Sequence, residues 1–78
     1  MATEYFHNYE FQTTFSGYSL VTTDDRGYIV EAALPFQKHI GESIDDMVKH
    51  YRDRKSFVDM RDLGKTKNGI LQAQLNSI

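Results

Sequence analysis

Three short stretches of this chain have the composition of hairpin turns: Phe15-Ser16-Gly17-Tyr18, Thr23-Asp24-Asp25-Arg26-Gly27-Tyr28 and Leu63-Gly64-Lys65-Thr66-Lys67-Asn68-Gly69-Ile70. The residues around them alternate between apolar and polar, as half-buried strands do. A hairpin turn sets the pairing register, and a slip of one residue moves every side chain to the opposite face. These turns therefore constrain the fold more than any other feature of the sequence.

Between Tyr5 and Phe15, the residues Tyr5, Tyr9, Phe11 and Phe15 share one face, and Asn8, Glu10, Gln12 and Thr14 the other. A two-residue loop at Ser16-Gly17 pairs Phe15 with Tyr18, Thr13 with Leu20 and Phe11 with Thr22. Asp24-Asp25-Arg26-Gly27 reads as a type I turn closed by a left-handed glycine, which pairs Asp24 with Tyr28. Thr22 then faces Val30, Leu20 faces Ala32 and Tyr18 faces Leu34, so that all three strands give apolar groups to one face.

Pro35 ends the third strand because it lacks the donor a ladder needs. Pro35 to Ile40 reads as one helical turn stopped by Gly41, with Pro at its first position. Ser43 is a helix cap, with Asp46 in the reciprocal position. Ile44, Met47, Val48 and Tyr51 form one amphipathic stripe, which predicts a helix from about Ser43 to Arg54 lying on the apolar face of the sheet. Glu42, Asp45 and Asp46 sit at the positive end of its dipole, and Lys49, Arg52, Arg54 and Lys55 at the negative end. A last hairpin pairs Leu63 with Ile70. It puts Val58, Met60, Leu71, Ala73 and Leu75 on one side, with Asp62 as a misfit, and Asp59, Arg61, Gln72 and Gln74 on the other. The expected fold is α+β in the order β-β-β-α-β-β: a three-stranded antiparallel meander, one packed helix and a C-terminal hairpin.

At 78 residues this is one small domain with a thin core. Five Tyr and five Phe can supply much of that core, since aromatic side chains bury large areas. The absence of cysteine removes any disulfide framework or thiolate site, and a small fold without staples suits the cytoplasm. Met1 to Tyr5 lacks the basic start and apolar run of a signal peptide, and no apolar run has the length of a membrane span. A net charge of −2 argues against a protein that coats nucleic acid and falls well short of a polyanionic mimic of it.

Groups that could carry chemistry are few. His7, His39 and His50 are dispersed without metal-ligand spacing and read as surface or packing residues. Asp24-Asp25 lacks the alternating oxygen ligands of a calcium loop and reads as turn chemistry. Asp59, Asp62 and Lys65 share the residue types of metal-dependent nucleases, but a regular strand points the two carboxylates to opposite faces. No catalytic set, metal site or cofactor is expected.

Two surface features remain. Lys49, Arg52, Arg54 and Lys55, with Lys65 and Lys67, would make a phosphate-contacting surface if the two groups lie close, and otherwise serve the helix dipole and a solvated loop. The register also leaves Phe6, Val21, Ile29 and Ala33 on the outer sheet face. There they form either a partner-binding patch or a reflection of strand propensity.

The stretch TTDDRGYIVEAALPFQKHIG, Thr22 to Gly41, followed by the helix Ser43 to Tyr51, resembles a pattern in short proteins of tailed bacteriophages and prophages. Its elements are an acidic turn with glycine, Ile-Val, a small-residue pair, Lys, Ile-Gly and an amphipathic helix. The resemblance implies no catalytic residue. It implies a setting in which small accessory proteins bind and block one bacterial machine. The leading expectation is a non-enzymatic, anti-CRISPR-like inhibitor in the bacterial cytoplasm. It would cover a host protein, such as a defence nuclease complex, with the face around Val21 and Ile29 or with the charged helix face. A nucleic-acid-binding module is the alternative, and a metal-dependent nuclease comes third. No membrane partner is expected, and a homodimer through an open sheet edge is compatible with each reading.

Overall fold

The computed structural model describes residues 4–67. Strands β1 (Tyr5–Thr13), β2 (Ser19–Thr23) and β3 (Ile29–Ala32) are followed by a 3₁₀ turn (Leu34–His39), helix α1 (Ile44–Asp53) and strand β4 (Phe57–Lys67). The architecture is α+β: a four-stranded antiparallel sheet in the order β3-β2-β1-β4, with one helix packed on it. The last strand joins beside β1, a placement that the turn chemistry left open.

The helix forms where its cap and stripe put it. Ser43 Oγ accepts the Asp46 N–H at 3.1 Å, satisfying one of the four free donors of the first turn. Ile44, Met47 and Tyr51 are buried, and Val48 packs against the same core. The sheet contributes Phe11, Val21, Ile29 and Ala32, and the 3₁₀ turn contributes Phe36. Aromatic rings hold the centre: Phe11 lies edge-on to Phe36 at 5.2 Å, with Phe57 at 5.5 Å and Tyr51 at 5.6 Å. The segment after the 3₁₀ turn then closes on β3. Gly41 N–H donates to the Ile29 carbonyl at 2.8 Å, and Ile29 N–H to the Glu42 carbonyl at 2.8 Å. Part of the outer edge of β3 is thereby already paired.

The inside and outside of β2, and of Ile29 and Val30 in β3, are reversed from the sequence expectation, while Ala32 keeps its expected core face. Phe11 pairs with Ser19, Glu10 with Leu20 and Tyr9 with Val21, three residues away from the register of a Ser16-Gly17 loop. The actual turn is built by hydroxyls: Thr13 Oγ1 and Ser16 Oγ lie 2.9 Å apart, and Ser16 N–H donates to the Thr13 carbonyl at 3.3 Å. Gly17 does not take the positive φ that a two-residue turn asks of it. An offset of three is odd, so the whole of β2 turns over: Val21 is 0% exposed and Leu20 48%.

The β2–β3 turn itself is as the sequence predicts. Asp24 N–H donates to the Tyr28 carbonyl at 2.8 Å, and Gly27 has φ +88°. The Asp24 carboxylate also accepts the N–H groups of Arg26 and Tyr28. Beyond the turn the register shifts, so that Thr23 pairs with Ile29 but Thr22 pairs with Glu31. Val30 is the extra residue of a bulge. Ile29 and Ala32 on either side are buried, and Val30 and Glu31 are exposed.

The expected Leu63–Ile70 hairpin does not start at Gly64. Strand β4 continues through it to Lys67, which pairs with Tyr5. Gly64 has φ +90° and sits at a bulge in which Leu63 is the extra residue, between the pairs Asn8–Gly64 and Tyr9–Asp62. A second shift, between Gln12–Asp59 and Thr13–Phe57, makes Val58 extra and exposed, while Phe57 and Met60 pack on the core. Leu71, Ala73 and Leu75, expected in the same hairpin, lie outside the described residues.

Candidate functional site

Helix α1 covers one face of the sheet; among the described residues no element packs on the other. That second face is set by the even-numbered residues of β1, which point away from Phe11 and Tyr9, and by the registers on either side. Two polar structures hold it. In the first, Thr22 Oγ1 donates to Asn8 Oδ1 at 2.9 Å, and Asn8 Nδ2 donates to Thr66 Oγ1 at 2.7 Å. This chain crosses β2, β1 and β4, and fixes how the three strands sit against each other.

In the second, Tyr18 O–H donates to Asp59 Oδ2 at 2.6 Å, across 41 residues of sequence. Arg61 Nε lies 3.5 Å from the same oxygen, and the Arg61 guanidinium stacks over the Tyr18 ring at 4.2 Å. The other Asp59 oxygen accepts the Met60 N–H at 2.9 Å. The Tyr18 hydrogen bond is the largest influence holding the Asp59 carboxyl below its ordinary range, and the same bond raises the Tyr18 phenol. Glu10 on β1 pairs with Arg61 on one side and with the exposed Leu20 on the other, while the exposed Val30 and Glu31 lie on β3 at the opposite edge of the sheet. The arrangement holds an arginine in one orientation on the open face, with an aromatic ring beneath it.

The residues expected from the sequence fall elsewhere. Val21 and Ile29 are in the core, 0% and 1% exposed, so they form no outer patch. Phe6 remains on the open face, and both it and Ala33 are half-buried. The basic residues do not converge. Lys49, Arg52, Arg54 and Lys55 precede β4, whereas Lys65 and Lys67 lie at its far end. The eight-residue step from Phe57 to Lys65 spans roughly 25 Å at ~3.3 Å per residue. Near the helix end, Arg52 stacks over Phe57 at 5.1 Å and Arg54 Nη1 donates to the His50 carbonyl at 3.1 Å. The composite phosphate surface is therefore not formed. Asp59 and Asp62 are likewise separated: the first is bound by Tyr18 on the open face, and the second by His7 on the helix-side face.

One buried polar network also lacked a sequence signal. His39 Nδ1 lies 3.0 Å from Glu42 Oε1, and His39 Nε2 lies 2.9 Å from the Tyr51 hydroxyl. Glu42 is the acceptor that fixes the proton on Nδ1, leaving Nε2 to accept from Tyr51. Burial, followed by the Glu42 charge, pushes the Tyr51 phenol up, in keeping with a neutral donor. The network ties the 3₁₀ turn to α1 from the inside.

Among the described residues no group of three or more His, Cys, Asp or Glu is placed to hold a metal ion, and no helix is long and apolar enough to cross a membrane. No family model, curated protein or solved structure matches the chain.

Proposed function

We propose that this protein is a small non-enzymatic binder that lays its open sheet face on a bacterial host protein and blocks it sterically, as phage-borne anti-defence and anti-CRISPR inhibitors do. The observation that carries the reading is the make-up of that face. Tyr18 and Leu20 are 39% and 48% exposed on it, beside an Arg61 whose guanidinium is held by Asp59 and Tyr18. Interface centres are rich in tyrosine and arginine, and an arginine ordered before docking loses less conformational freedom on binding. The resemblance of Thr22 to Tyr51 to phage proteins supports the bacterial setting.

The test is affinity capture from bacterial lysate with three baits: the native chain, the double variant Leu20→Glu/Arg61→Ala, and Lys49→Glu on the helix as a control. Circular dichroism checks that each is folded. The expected result is one host protein retained by the native chain and by Lys49→Glu, lost with the double variant, and inhibited in its own assay by added native chain. Equal retention by the double variant, or no saturable retention by the folded native chain, overturns the reading.

A further inference from the structure

The outer edge of β4 has no paired strand among the described residues, and the phase of its backbone follows from its partner. Thr14 N–H donates to the Ser56 carbonyl at 2.9 Å, so the even-numbered residues of β1 direct their N–H and C=O groups at β4 and the odd-numbered ones at β2. The extra residues of both bulges lie in β4, so this alternation runs unbroken along β1. The β4 residues opposite odd positions therefore turn their backbone groups outward. These are Met60, Asp62, Lys65 and Lys67, which pair with Phe11, Tyr9, His7 and Tyr5.

Most of that edge is closed to a further strand. Met60 N–H donates to Asp59 Oδ1 at 2.9 Å, and at the Leu63 bulge Gly64 N–H donates to Asp62 Oδ1 at 2.7 Å. The bulges at Val58 and Leu63 also break the straight run that a long added strand needs. Residues 65–67 differ: they pair regularly with β1, and no side chain among the described residues takes up the outward groups of Lys65 and Lys67. A second copy of the chain needs a long ladder to associate and meets these obstacles. A segment tethered beside Lys67 needs only a few pairs.

Asn68 and Gly69 follow directly, outside the described residues. Asn-Gly is the favoured pair of the two-residue type I′ hairpin turn, in which both residues take positive φ. Such a turn is closed by a residue whose N–H and C=O both face the returning strand. Lys67 faces outward and meets that demand, whereas Thr66 faces β1 and does not. After the turn, Leu71, Ala73 and Leu75 alternate with Gln72 and Gln74, and the nine residues 70–78 are more than enough to reach back to Gly64. We infer that residues 70–73 return through an Asn68-Gly69 turn and occupy the edge of β4 at residues 64–67 as a fifth antiparallel strand, with Ile70 opposite Lys67 and Leu71 opposite Thr66. Thr66 stands opposite Phe6, and its hydroxyl meets Asn8 on the open face, so this register adds Leu71 and Ala73 to that face as two apolar positions. The strand rests on backbone phase and does not depend on what the open face binds.

The experiment is amide hydrogen exchange and nuclear Overhauser spectroscopy on the full chain. The Lys65, Lys67, Ile70 and Gln72 amides are expected to exchange at least about tenfold more slowly than in Gly69→Val, a β-branched variant that denies the turn its positive φ. The Val21 amide, in the core, checks that the variant is folded. A close Hα–Hα contact between Thr66 and Leu71 is expected to mark the register, and a mixture of labelled and unlabelled chains should show that it forms within one chain. Three results each overturn the inference: Lys65 and Lys67 exchanging as fast in the native chain as in folded Gly69→Val, Leu71 lying opposite any residue other than Thr66, or a Thr66–Leu71 contact that joins two chains. The last two are read on the native chain, so they decide the matter even if Gly69→Val fails to fold.

Discussion

His39 and His50 stand ring to ring, 5.1 Å apart, but their surroundings differ. Both nitrogens of His39 have partners, Glu42 and Tyr51, whereas the half-buried His50 is held below the ordinary imidazole value of 6.5, first by burial and then by Arg54. A histidine whose folded value is depressed takes up its proton more readily in the unfolded chain. Its contribution to stability is therefore complete above 6.5 and is lost as pH falls from there toward the folded value. Thermal melts between neutral and mildly acidic pH should show this decline, and His50→Gln should flatten it. Asp59 and Asp62 act in a lower window. Hydrogen bonds from Tyr18 and His7 depress them, so their contributions hold above the ordinary carboxylate value of 3.8 and disappear as pH falls through the folded values. Tyr51→Phe leaves His39 Nε2 without its donor in the interior, and denaturant titration should register a loss of about 1–3 kcal/mol.

Among the elements, those whose signals are local were legible in the sequence. Helix α1 was set by the Ser43 cap and the Ile44–Tyr51 stripe, and the Asp24–Gly27 turn by an acidic start and a glycine at the left-handed position. Strand β1 also kept its expected core face. The β1–β2 connection was not legible, because Thr13–Ser16 and Ser16-Gly17 are both acceptable turn chemistry. Choosing between them moves the register by an odd number, which inverts β2. The bulges at Val30, Val58 and Leu63 have no compositional mark either, since each extra residue is an ordinary aliphatic; only Gly64 hints at one of them. The observed φ values make a direct test. Gly64→Ala forces an L-residue to +90° and should cost about 1–2 kcal/mol, whereas Gly17→Ala, with no left-handed demand, should be within about 0.5 kcal/mol of native. Comparable losses in urea titrations of the two variants would restore the Ser16-Gly17 turn.

At the scale of the whole molecule, the two sides of the sheet differ in burial, and truncations should separate them. Phe11→Ala removes a ring at the centre of the core and is expected to cost about 3–5 kcal/mol, a large share of the ~5–15 kcal/mol that holds a small domain together. Leu20→Ser on the open face should change stability by no more than about 0.5 kcal/mol. Half of the open face could be read in advance: Glu10, Asp59 and Arg61 fall opposite the core by alternation alone. Their union with Tyr18 could not, because it joins positions 41 residues apart through a register that composition leaves open. That union has an optical consequence. The chain has five tyrosines and no tryptophan, so its intrinsic fluorescence is entirely phenolic. Two of those phenols, Tyr18 and Tyr51, are hydrogen-bonded to a carboxylate and an imidazole, partners that quench tyrosine emission. Unfolding releases both at once, one from each side of the sheet, so the protein brightens as it opens and reports its own denaturation without a label.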